Sequence, residues 1–553
     1  MIGNDRAVVV VGASAAGLRC ACRLARLQPR WRVTVVESSP RFSYAACGLP
    51  YALGGEIGDL EALRRTSYGT VRDERFFAEE KGISVLAGWR ATEVSLPKSL
   101  LMVEGPEGER RLPWDEMVLA TGARPRLLRG QPSHPRVRTF HSWDDVAPLK
   151  EALAQGQIGR VAIVGAGLLG CELAEAFRGL WGAEVLLLEA AEVPLPALLD
   201  PELGSCVANH LREKGVEVLS GAAVEAVEPG ADEVRLRAGD GEHRADLVVV
   251  AVGVEPNVEL ARQAGALLGP TGAIAVDERL ATSIPHIWAA GDCVEVRDIA
   301  TGAPIYRPFG SLANRQGRTL ANVLAGRRDA FPPVAGAIAV RVFDFNVAAV
   351  GSTEERARDQ GYRARSVWIT AMDRPDYWPE AGQIHLKLVY DADSGRVLGV
   401  QAVGKGDVVK RVDVAAQLIC RGATLSECQH LEHAYAPPYA SAIDPLAMAA
   451  FVALNQEDGV EAAPPLHPLR EVLDVRLPEE RQRRPVPAAR VHEFAVSALR
   501  SGDQVEEDRE RIVVCERGPR SAEAVRLLRS LGSRALYLGG GLLWRSAAGK
   551  GTS

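Results

Sequence analysis

The stretch Ala7-Val8-Val9-Val10-Val11-Gly12-Ala13-Ser14-Ala15-Ala16-Gly17 sets the architecture that we expect for this chain. It opens with a continuous apolar run, which is typical of a strand buried on both faces of a parallel sheet. A helical pattern follows to residue 27, and a second apolar strand spans residues 33–36. The order of strand, glycine-rich turn, helix and strand predicts a βαβ unit.

Four residues of this unit have the spacing of a nucleotide-binding turn. Gly12 allows the tight turn, and Gly17 allows the helix to approach the strand closely. The helix N-terminus would face a pyrophosphate, and Glu37 would accept hydrogen bonds from ribose hydroxyls. Ser14 stands where the middle glycine usually lies. We predict a dinucleotide site at these four residues; the alternative is an ordinary glycine-rich turn.

The same pattern recurs later in the chain. An apolar strand at residues 160–164 leads into a turn with Gly165, Gly167 and Gly170, and the next strand ends at Glu189. Two alanines and no arginine follow Glu189, so no cation is placed to bind a 2′-phosphate, and NADH is favoured over NADPH. Two dinucleotide sites in one chain predict that electrons pass from a nicotinamide to a flavin.

Three further apolar strands, at residues 117–123, 247–253 and 287–292, end in glycine turns. They add more predicted cofactor-binding residues, namely Thr121, Gly122, Gly253, Gly291 and Asp292. An acid that follows a glycine at a strand end is placed to hydrogen bond the ribityl chain of a flavin. The alternative for Asp292 is a helix N-cap.

Residues 42–51 contain one cysteine, Cys47, and no second cysteine lies within ten residues of it. A lone thiol beside a flavin pairs with a sulfur brought from outside the chain. The chemistry needs a thiolate, and we expect the flavin and a helix N-terminus after Pro50 to lower the pKa of Cys47. The alternative is a buried structural cysteine.

The first 455 or so residues resemble the pyridine nucleotide–disulfide oxidoreductases. Within them they resemble the single-cysteine branch of coenzyme A-disulfide reductases, NADH-dependent persulfide or polysulfide reductases and NADH oxidases. The matching motifs are residues 43–50, 120–122, 165–170, 290–292, 313–317 and 434–439. The resemblance implies a glutathione-reductase-like α/β fold, FAD in the first site, NAD(P)H in the second and a homodimer. Ala46 departs from the family, which usually has asparagine before the cysteine.

The resemblance also implies roles for residues outside the two fingerprints. Tyr377 and Tyr435 match tyrosines that the branch takes from the partner subunit, where a phenol would donate a hydrogen bond to the departing sulfur. The alternative for both is interface packing. Arg23 matches a family arginine for the phosphates of coenzyme A, and Ser39 and Ser43 are further candidates for substrate binding.

The C-terminal region resembles a rhodanese domain in which Cys515 carries a persulfide. Cys515 lies at a predicted strand end before a helix, where amide groups and Arg520 would stabilise a thiolate or persulfide anion. Two departures leave its activity open. Pro519 removes one amide donor from the loop, and Glu516 adds a repelling charge.

These patterns divide the 553 residues into consecutive segments. We expect an FAD-binding domain at residues 1–145 and 271–330, an NAD(H)-binding domain at 146–270, an α+β dimerisation domain at 331–455, a linker at 456–468 and a small α/β rhodanese-like domain at 469–546. The net charge of −6 gives no case for nucleic acid or membrane partners. Nine cysteines without a clustered framework indicate a reducing compartment, the cytoplasm, and no metal site is predicted.

Three functions are open at this point. The first is an NADH- and FAD-dependent reductase of coenzyme A disulfide, coenzyme A persulfide or polysulfide, in which Cys515 passes sulfane sulfur towards Cys47. The second is an NADH oxidase in which Cys47 cycles through a sulfenic acid. The third is a redox sensor that binds nucleotides and turns over little.

Overall fold

The computed structural model describes residues 5–500 and 511–550; residues 1–4, within the predicted first segment, and 501–510, within the predicted last one, lie outside the described part. The quoted stretch forms the middle of a five-stranded parallel sheet. Its strands, from edge to edge, are Ile287–Ala289, Glu116–Leu119, Ala7–Val11, Arg32–Glu37 and Ser84–Ala87. The helices Ala15–Leu27 and Gly310–Leu324 pack together on this sheet. Val8 and Val10 are completely buried, as expected for an interior parallel strand.

A second five-stranded parallel sheet repeats this arrangement. Its order is Val216–Ser220, Glu184–Glu189, Arg160–Val164, Leu247–Val250 and Val137–Thr139. The helices Leu168–Gly179 and Pro201–Glu213 cover it. The edge strand Val137–Thr139 precedes residue 146, so this sheet begins earlier in the chain than the predicted domain does. The antiparallel pair Ala123–Pro125 and Val254–Pro256 connects the two nucleotide-binding units.

Two antiparallel sheets and several short helices complete these units. One sheet has the strands Arg90–Ser95, Leu100–Gly105 and Gly108–Pro113, and the other has Val224–Pro229, Val234–Ala238 and Gly241–Ala245. The helices are Leu49–Leu53, Glu74–Lys81, Trp143–Ala154 and Glu259–Gln263, with 3₁₀ turns at Ala46–Gly48 and Leu60–Arg64. The short strands Val296–Arg297 and Pro304–Ile305 pair antiparallel before the helix Gly310–Leu324.

The next part of the chain forms a five-stranded antiparallel sheet. Its order is Ile338–Val342, Phe345–Gly351, Val397–Gly404, Gln383–Asp391 and Ala364–Met372. The helices Val409–Cys420 and Pro445–Glu457 pack on it, and Glu354–Asp359 and Leu425–Cys428 are shorter. An α+β arrangement, as predicted for this segment, is present here; the strand Phe345–Gly351 was not predicted.

The C-terminal unit is a small parallel sheet with helices. Its strands are Ala462–Ala463, Ala535–Leu538, Arg511–Val514, Glu471–Asp474 and Arg490–Glu493. Its helices are Pro478–Arg483, Val496–Arg500, Pro519–Ser530 and Gly541–Ala547. Ala462–Ala463 lies within the predicted linker at 456–468, where its backbone pairs with Tyr537 and Leu538. The predicted α/β class is therefore confirmed.

The C-terminal unit is docked on the antiparallel sheet through buried contacts. The amide of Gly540 donates to the carbonyl of Trp368 at 3.0 Å, and the hydroxyl of Thr370 donates to the carbonyl of Gly540 at 2.7 Å. The fully buried Trp544 donates from its indole to the carbonyl of Glu202 at 3.2 Å. Three units of the chain thus meet around one tryptophan.

A buried ammonium group lies beside this junction. Lys387, on the antiparallel sheet, is 2% exposed and forms ion pairs with three carboxylates. Its Nζ lies 2.9 Å from Asp200, 3.3 Å from Glu202 and 3.0 Å from Glu354. Asp200 and Glu202 belong to the second nucleotide-binding unit, so this cluster joins that unit to the antiparallel sheet.

Candidate active site

The first glycine turn has the geometry of a nucleotide site. Gly12 has a φ of +112°, and a Cβ atom there would collide with the carbonyl of Ala120; a Cβ at Gly17 would collide with the carbonyl of Gly12. The strand, turn and helix are therefore closer than any side chain permits. A cavity of about 510 Å³ opens beside this turn and is lined by Gly12, Glu37 and Thr121, among others. The carboxylate of Glu37 accepts from the amides of Ala13 and Ser39, each at 2.9 Å, which orients it toward the cavity.

The predicted partners of a polyol chain lie at the other end of this turn. Gly291 has a φ of +91°, and Asp292 follows it at the end of the strand. Burial raises the pKa of Asp292 to about 6, and its carboxylate has no hydrogen bond to another described residue. Gly122 has a φ of +67° and no atom near its Cβ position. The partly buried Asp292 carboxylate, which has no hydrogen-bond partner among the described residues, fits a bound ribityl chain; Asp292 is not an N-cap because no helix starts after it.

The second turn reproduces the first. Gly165 has a φ of +102°, and a Cβ at Gly170 would collide with the carbonyl of Gly165. Gly167 has no atom within 4 Å of its Cβ position, which leaves room for a pyrophosphate. Glu189 accepts from the amides of Ala166 at 2.8 Å and Ala191 at 2.9 Å. Gly253, with a φ of +100° and no atom within 4 Å of its Cβ position, lies past the end of the neighbouring strand.

Cys47 lies between these two turns and is exposed. It occupies the 3₁₀ turn Ala46–Gly48, and its Sγ is 3.9 Å from the Cβ position of Gly310. Gly310 is the first residue of a long helix, so the N-terminal end of that helix lies beside the sulfur.

The expected lowering of the Cys47 pKa is not seen among the groups of the chain. Its pKa is raised because the sulfur is partly dehydrated and because the carboxylates of Glu172 and Asp292 lie nearby. The helix Leu49–Leu53, which contains Pro50, has five residues and contributes little dipole. The protein itself therefore favours the neutral thiol.

Sequence reasoning missed a pair of acidic groups beside Cys47. The hydroxyl of Tyr51 donates to the carboxylate of Glu172 at 3.3 Å. Burial raises the pKa of Glu172 to about 7, and burial together with Glu172 raises the pKa of Tyr51 to about 12. Tyr51 lies four residues after Cys47, about one helical turn away, and that spacing was the available signal. Glu172 comes from the helix of the second turn, which only the fold brings here.

The other predicted substrate residues differ in their exposure. Tyr377 is 73% exposed and Tyr435 is 51% exposed, and neither hydroxyl has a hydrogen bond to a described residue. Ser43 is buried with a φ of +58°, and its amide donates to the carbonyl of Ala13 at 3.2 Å. Ser39 is tied to Glu37 through its amide. The structure of one chain brings none of these side chains into hydrogen-bond contact with Cys47.

Arg23 belongs to a cluster of cations between two helices. Its Nε donates to Asn322 at 2.6 Å. Partial dehydration and the neighbouring Arg318, Arg327 and Arg26 lower the pKa of Arg23. Asp329, which accepts a hydrogen bond from Asn322 at 2.6 Å, offsets part of this repulsion.

The second candidate nucleophile, Cys515, lies at the end of the strand Arg511–Val514 and is 1% exposed. Its Sγ accepts from the amide of Gly518 at 3.1 Å and that of Ser521 at 3.4 Å. The hydroxyl of Ser521 lies 3.3 Å away. The predicted cradle of amide groups is therefore present, although Pro519 starts the helix without an amide hydrogen.

The charges around Cys515 differ from the expectation. Glu516 does not stand as an uncompensated repelling charge, because it is paired with the buried Arg476 at 2.7 Å and with Arg484. Arg520 is engaged by Glu480 through two hydrogen bonds of 2.7 and 2.6 Å. These bonds hold the pKa of Glu480 down to about 2. A cavity of about 460 Å³ opens at this site, and Cys515 and Arg520 both line it.

The fold and these two turns define a class of flavin-linked oxidoreductases, and the chain belongs to it. The family described as pyridine nucleotide-disulphide oxidoreductase matches residues 6–310, and its dimerisation domain matches residues 338–447. This family implies FAD and NAD(P)H as cofactors, and the two glycine turns have the geometry of two dinucleotide sites.

Several similar proteins have names that specify a reaction of sulfur compounds. The chain is 34% identical over 455 residues to an NAD(P)H sulfur oxidoreductase (CoA-dependent) of Pyrococcus abyssi, which covers 81% of this chain and 98% of the relative. The structure of an NAD-dependent persulfide reductase from A. fulgidus is 39% identical, with a TM-score of 0.92, and covers 97% of this chain and 99% of that one. The structure of reduced Bacillus anthracis CoADR-RHD is 29% identical, with a TM-score of 0.90, and covers 99% of both chains.

The described part of the chain contains neither a membrane-spanning helix nor a cluster of metal-binding side chains. No helix within residues 5–500 and 511–550 is both long enough and apolar enough to cross a membrane. In the same ranges, no group of three or more His, Cys, Asp or Glu side chains is arranged to hold a metal ion.

Proposed function

We propose that this oxidoreductase acts on sulfur groups as an NADH- and FAD-dependent reductase of coenzyme A disulfide, coenzyme A persulfide or polysulfide. The observation that carries this is the position of Cys47, a single exposed thiol between two nucleotide turns and beside the helix that begins at Gly310. The sulfur-reducing relatives support the same reaction class.

Cys47 acts as the nucleophile in this mechanism. Its thiolate attacks the outer sulfur of a persulfide R–S–SH, the S–S bond breaks, and the thiolate of R leaves and takes up a proton. When bound, FAD supplies the two electrons, received from NADH, that return Cys47 to the thiolate and release hydrosulfide. Tyr51 and Glu172 hold a proton in a hydrogen bond, and Glu172 adds to the rise that dehydration causes in the pKa of Cys47. This arrangement suits proton delivery to the departing thiolate.

Coenzyme A is the proposed carrier because of the cation cluster at Arg23. Arginine binds phosphate oxygens through its planar fork, and Arg23 has Arg318 and Arg327 as neighbours. Ser39 and Ser43 lie on the adjoining segment, between this cluster and Cys47 in the sequence.

NADH is the proposed electron donor. Glu189 is fixed by the amides of Ala166 and Ala191 at the position where a ribose is bound. Its carboxylate would accept from ribose hydroxyls and would repel a 2′-phosphate. Glu192 adds a second acidic group in this loop, and no arginine follows Glu189 before it.

The division into domains is part of the proposal. We assign residues 469–546 to a rhodanese-like module, supported by the amide cradle around Cys515 and by the likeness of the whole chain to CoADR-RHD. Cys515 then carries sulfane sulfur for transfer towards Cys47.

Residues 331–455 form the dimer interface, and Tyr377 and Tyr435, which are exposed in one chain, reach the Cys47 site of the second subunit. We place the protein in the cytoplasm because its nine cysteines are free thiols in the structure.

Steady-state assays of the FAD-loaded protein test this function. Wild type and Cys47→Ser are compared with NADH and, in turn, coenzyme A disulfide, coenzyme A persulfide, polysulfide and dioxygen. We expect sulfur-dependent NADH use in the wild type and its loss in Cys47→Ser, with Cys420→Ser, an exposed thiol elsewhere, as the unaffected control. Rapid NADH use with air alone would instead identify an NADH oxidase, and flavin reduction without turnover would identify a sensor.

A further inference from the structure

The cavity at Cys515 contains many cations, yet most of them are already neutralised. Four arginines line it, namely Arg483, Arg484, Arg517 and Arg520. Arg484 is paired with Glu516, Arg520 with Glu480, and Arg517 with Asp376 at 2.9 Å. Within the described part of the chain, Arg483 has no carboxylate partner, and its side chain is exposed.

The buried guanidinium group of Arg476 is also paired with carboxylates. Arg476 is fully buried and forms a 2.8 Å ion pair with Asp474 as well as its pair with Glu516. The amides of Gly518 and Ser521 donate directly to the sulfur, whereas Arg520, which interacts electrostatically with Cys515, is already paired with Glu480. Two amides suit one negative charge on a thiolate or persulfide.

Sulfane donors place very different charges next to this sulfur. Transfer from thiosulfate breaks its S–S bond and expels sulfite, so a dianion develops within bonding distance of Cys515. Transfer from an organic persulfide, R–S–SH, expels a monoanionic thiolate that takes up a proton. Neither transfer changes the number of electrons in the system, and the sulfane sulfur remains on Cys515. A dianion needs an unpaired guanidinium close to the sulfur, and those near Cys515 are occupied.

We propose that the Cys515 site is specific for organic persulfides whose anionic groups lie several bonds from the sulfane sulfur, and that Glu480 and Glu516 exclude thiosulfate by occupying Arg520 and Arg484. The cavity volume of about 460 Å³ accommodates such an extended donor. The distal anion binds Arg483 at the rim. This inference rests on the proposed sulfur-carrying role of Cys515.

The test measures the loading of Cys515 in the full-length, FAD-loaded protein without NADH. Glutathione persulfide or thiosulfate is mixed with the protein, and the mass of the Cys515 peptide is followed with time; Cys515→Ser is the blank. We expect glutathione persulfide to load the wild type at least tenfold faster than thiosulfate does. A tenfold difference in rate corresponds to about one hydrogen bond to a charged group.

Glu480→Gln frees Arg520 and should raise the rate of loading by thiosulfate roughly tenfold, because one charge-assisted contact to the leaving sulfite becomes available. Glu479→Gln, an exposed neighbour on the same helix, removes the same charge and should change neither rate. Glu516→Gln frees Arg484, and it should raise the rate of loading by thiosulfate in the same way if Glu480→Gln is poorly folded.

Two kinds of failure are distinguishable. Equal loading of the wild type by both donors, or thiosulfate rates unchanged in Glu480→Gln and Glu516→Gln, would overturn the specificity and leave the sulfur-carrying role intact. Failure of glutathione persulfide, thiosulfate and inorganic polysulfide alike to load Cys515 would overturn the role itself and the inference with it.

Discussion

Glu172 places a carboxyl group with a pKa of about 7 in the surroundings of Cys47. Its charge raises the pKa of the Cys47 thiol, together with dehydration and Asp292. The ionised forms of Glu172 and Cys47 therefore disfavour each other, because a thiolate at Cys47 is easier to form when Glu172 is protonated. Near neutral pH the Glu172 carboxyl group is protonated in part of the molecules. It can therefore supply the proton that a departing sulfur requires.

Replacement of Glu172 by Gln should make Cys47 more reactive. The neutral amide keeps the shape of the side chain and removes the repulsion, so the pKa of Cys47 falls and its alkylation by iodoacetamide at pH 8 becomes faster. The rate is measured on the Cys47 peptide by mass spectrometry in the oxidised holoenzyme. Glu184→Gln, an exposed acid in the same unit, is the control. An unchanged or slower rate in Glu172→Gln would contradict the assigned electrostatics.

The same group gives a pH dependence of stability with a definite sign. The pKa of Glu172 is raised from its ordinary 4.5 to about 7, so between these values the folded protein binds a proton that the unfolded chain has released. The free energy of unfolding therefore falls as the pH rises through this window. Relative to wild type, Glu172→Gln should gain up to about 3 kcal/mol of stability between pH 5 and pH 8, because each unit of pKa shift corresponds to about 1.4 kcal/mol and solvent screening lowers the total. Urea unfolding followed by tryptophan fluorescence at the two pH values measures this, and an identical difference at both would contradict it.

Much of the site was predictable at the level of single residues because motifs carry it. Gly12, Gly17 and Glu37 have the predicted geometry since the turn needs those residue types at that spacing. The pairing of Glu516 with Arg476 and Arg484 was not predictable, because these arginines lie 40 and 32 residues away in the chain. Charges that look repulsive in the sequence are compensated only after folding.

At the scale of elements, the two glycine turns make separable predictions. Gly17→Ala would force a Cβ atom into the carbonyl of Gly12, and Gly170→Ala would force one into the carbonyl of Gly165. The first should lose its flavin, and the second should keep the flavin while its KM for NADH rises at least tenfold, since a displaced helix N-terminus weakens a pyrophosphate contact. Flavin absorbance and NADH titration separate these effects.

The control for both is Gly58→Ala, because no atom lies within 4 Å of its Cβ position. Loss of flavin in Gly170→Ala with retention in Gly17→Ala would reverse the assignment of the two sites.

The strands beside these turns were predictable from their continuous apolar runs. The edge strands Val137–Thr139 and Ala462–Ala463 were not, because a short strand is defined by a partner that is distant in the chain.

At the scale of the whole molecule, Trp544 fixes the C-terminal unit to the remainder of the chain. It is fully buried against His385, with ring centroids 5.1 Å apart. Trp544→Ala should reduce the free energy of unfolding by about 3–5 kcal/mol, as expected for a large side chain removed from a packed site. Leu531→Ala, which alters an exposed side chain, is the control.

Limited proteolysis measures whether the unit is released. We expect faster cleavage between residues 456 and 468 in Trp544→Ala and unchanged cleavage in Leu531→Ala. Wild-type cleavage rates in Trp544→Ala would show that other contacts hold the unit in place.

The ion cluster at Lys387 has a mechanical consequence. Rotation of the unit that contains Asp200 and Glu202 away from the antiparallel sheet would remove two of the three carboxylates that pair with Lys387. The ammonium group would then be buried without full compensation of its charge, which is strongly unfavourable. The cluster therefore resists hinge rotation between these two parts of the chain.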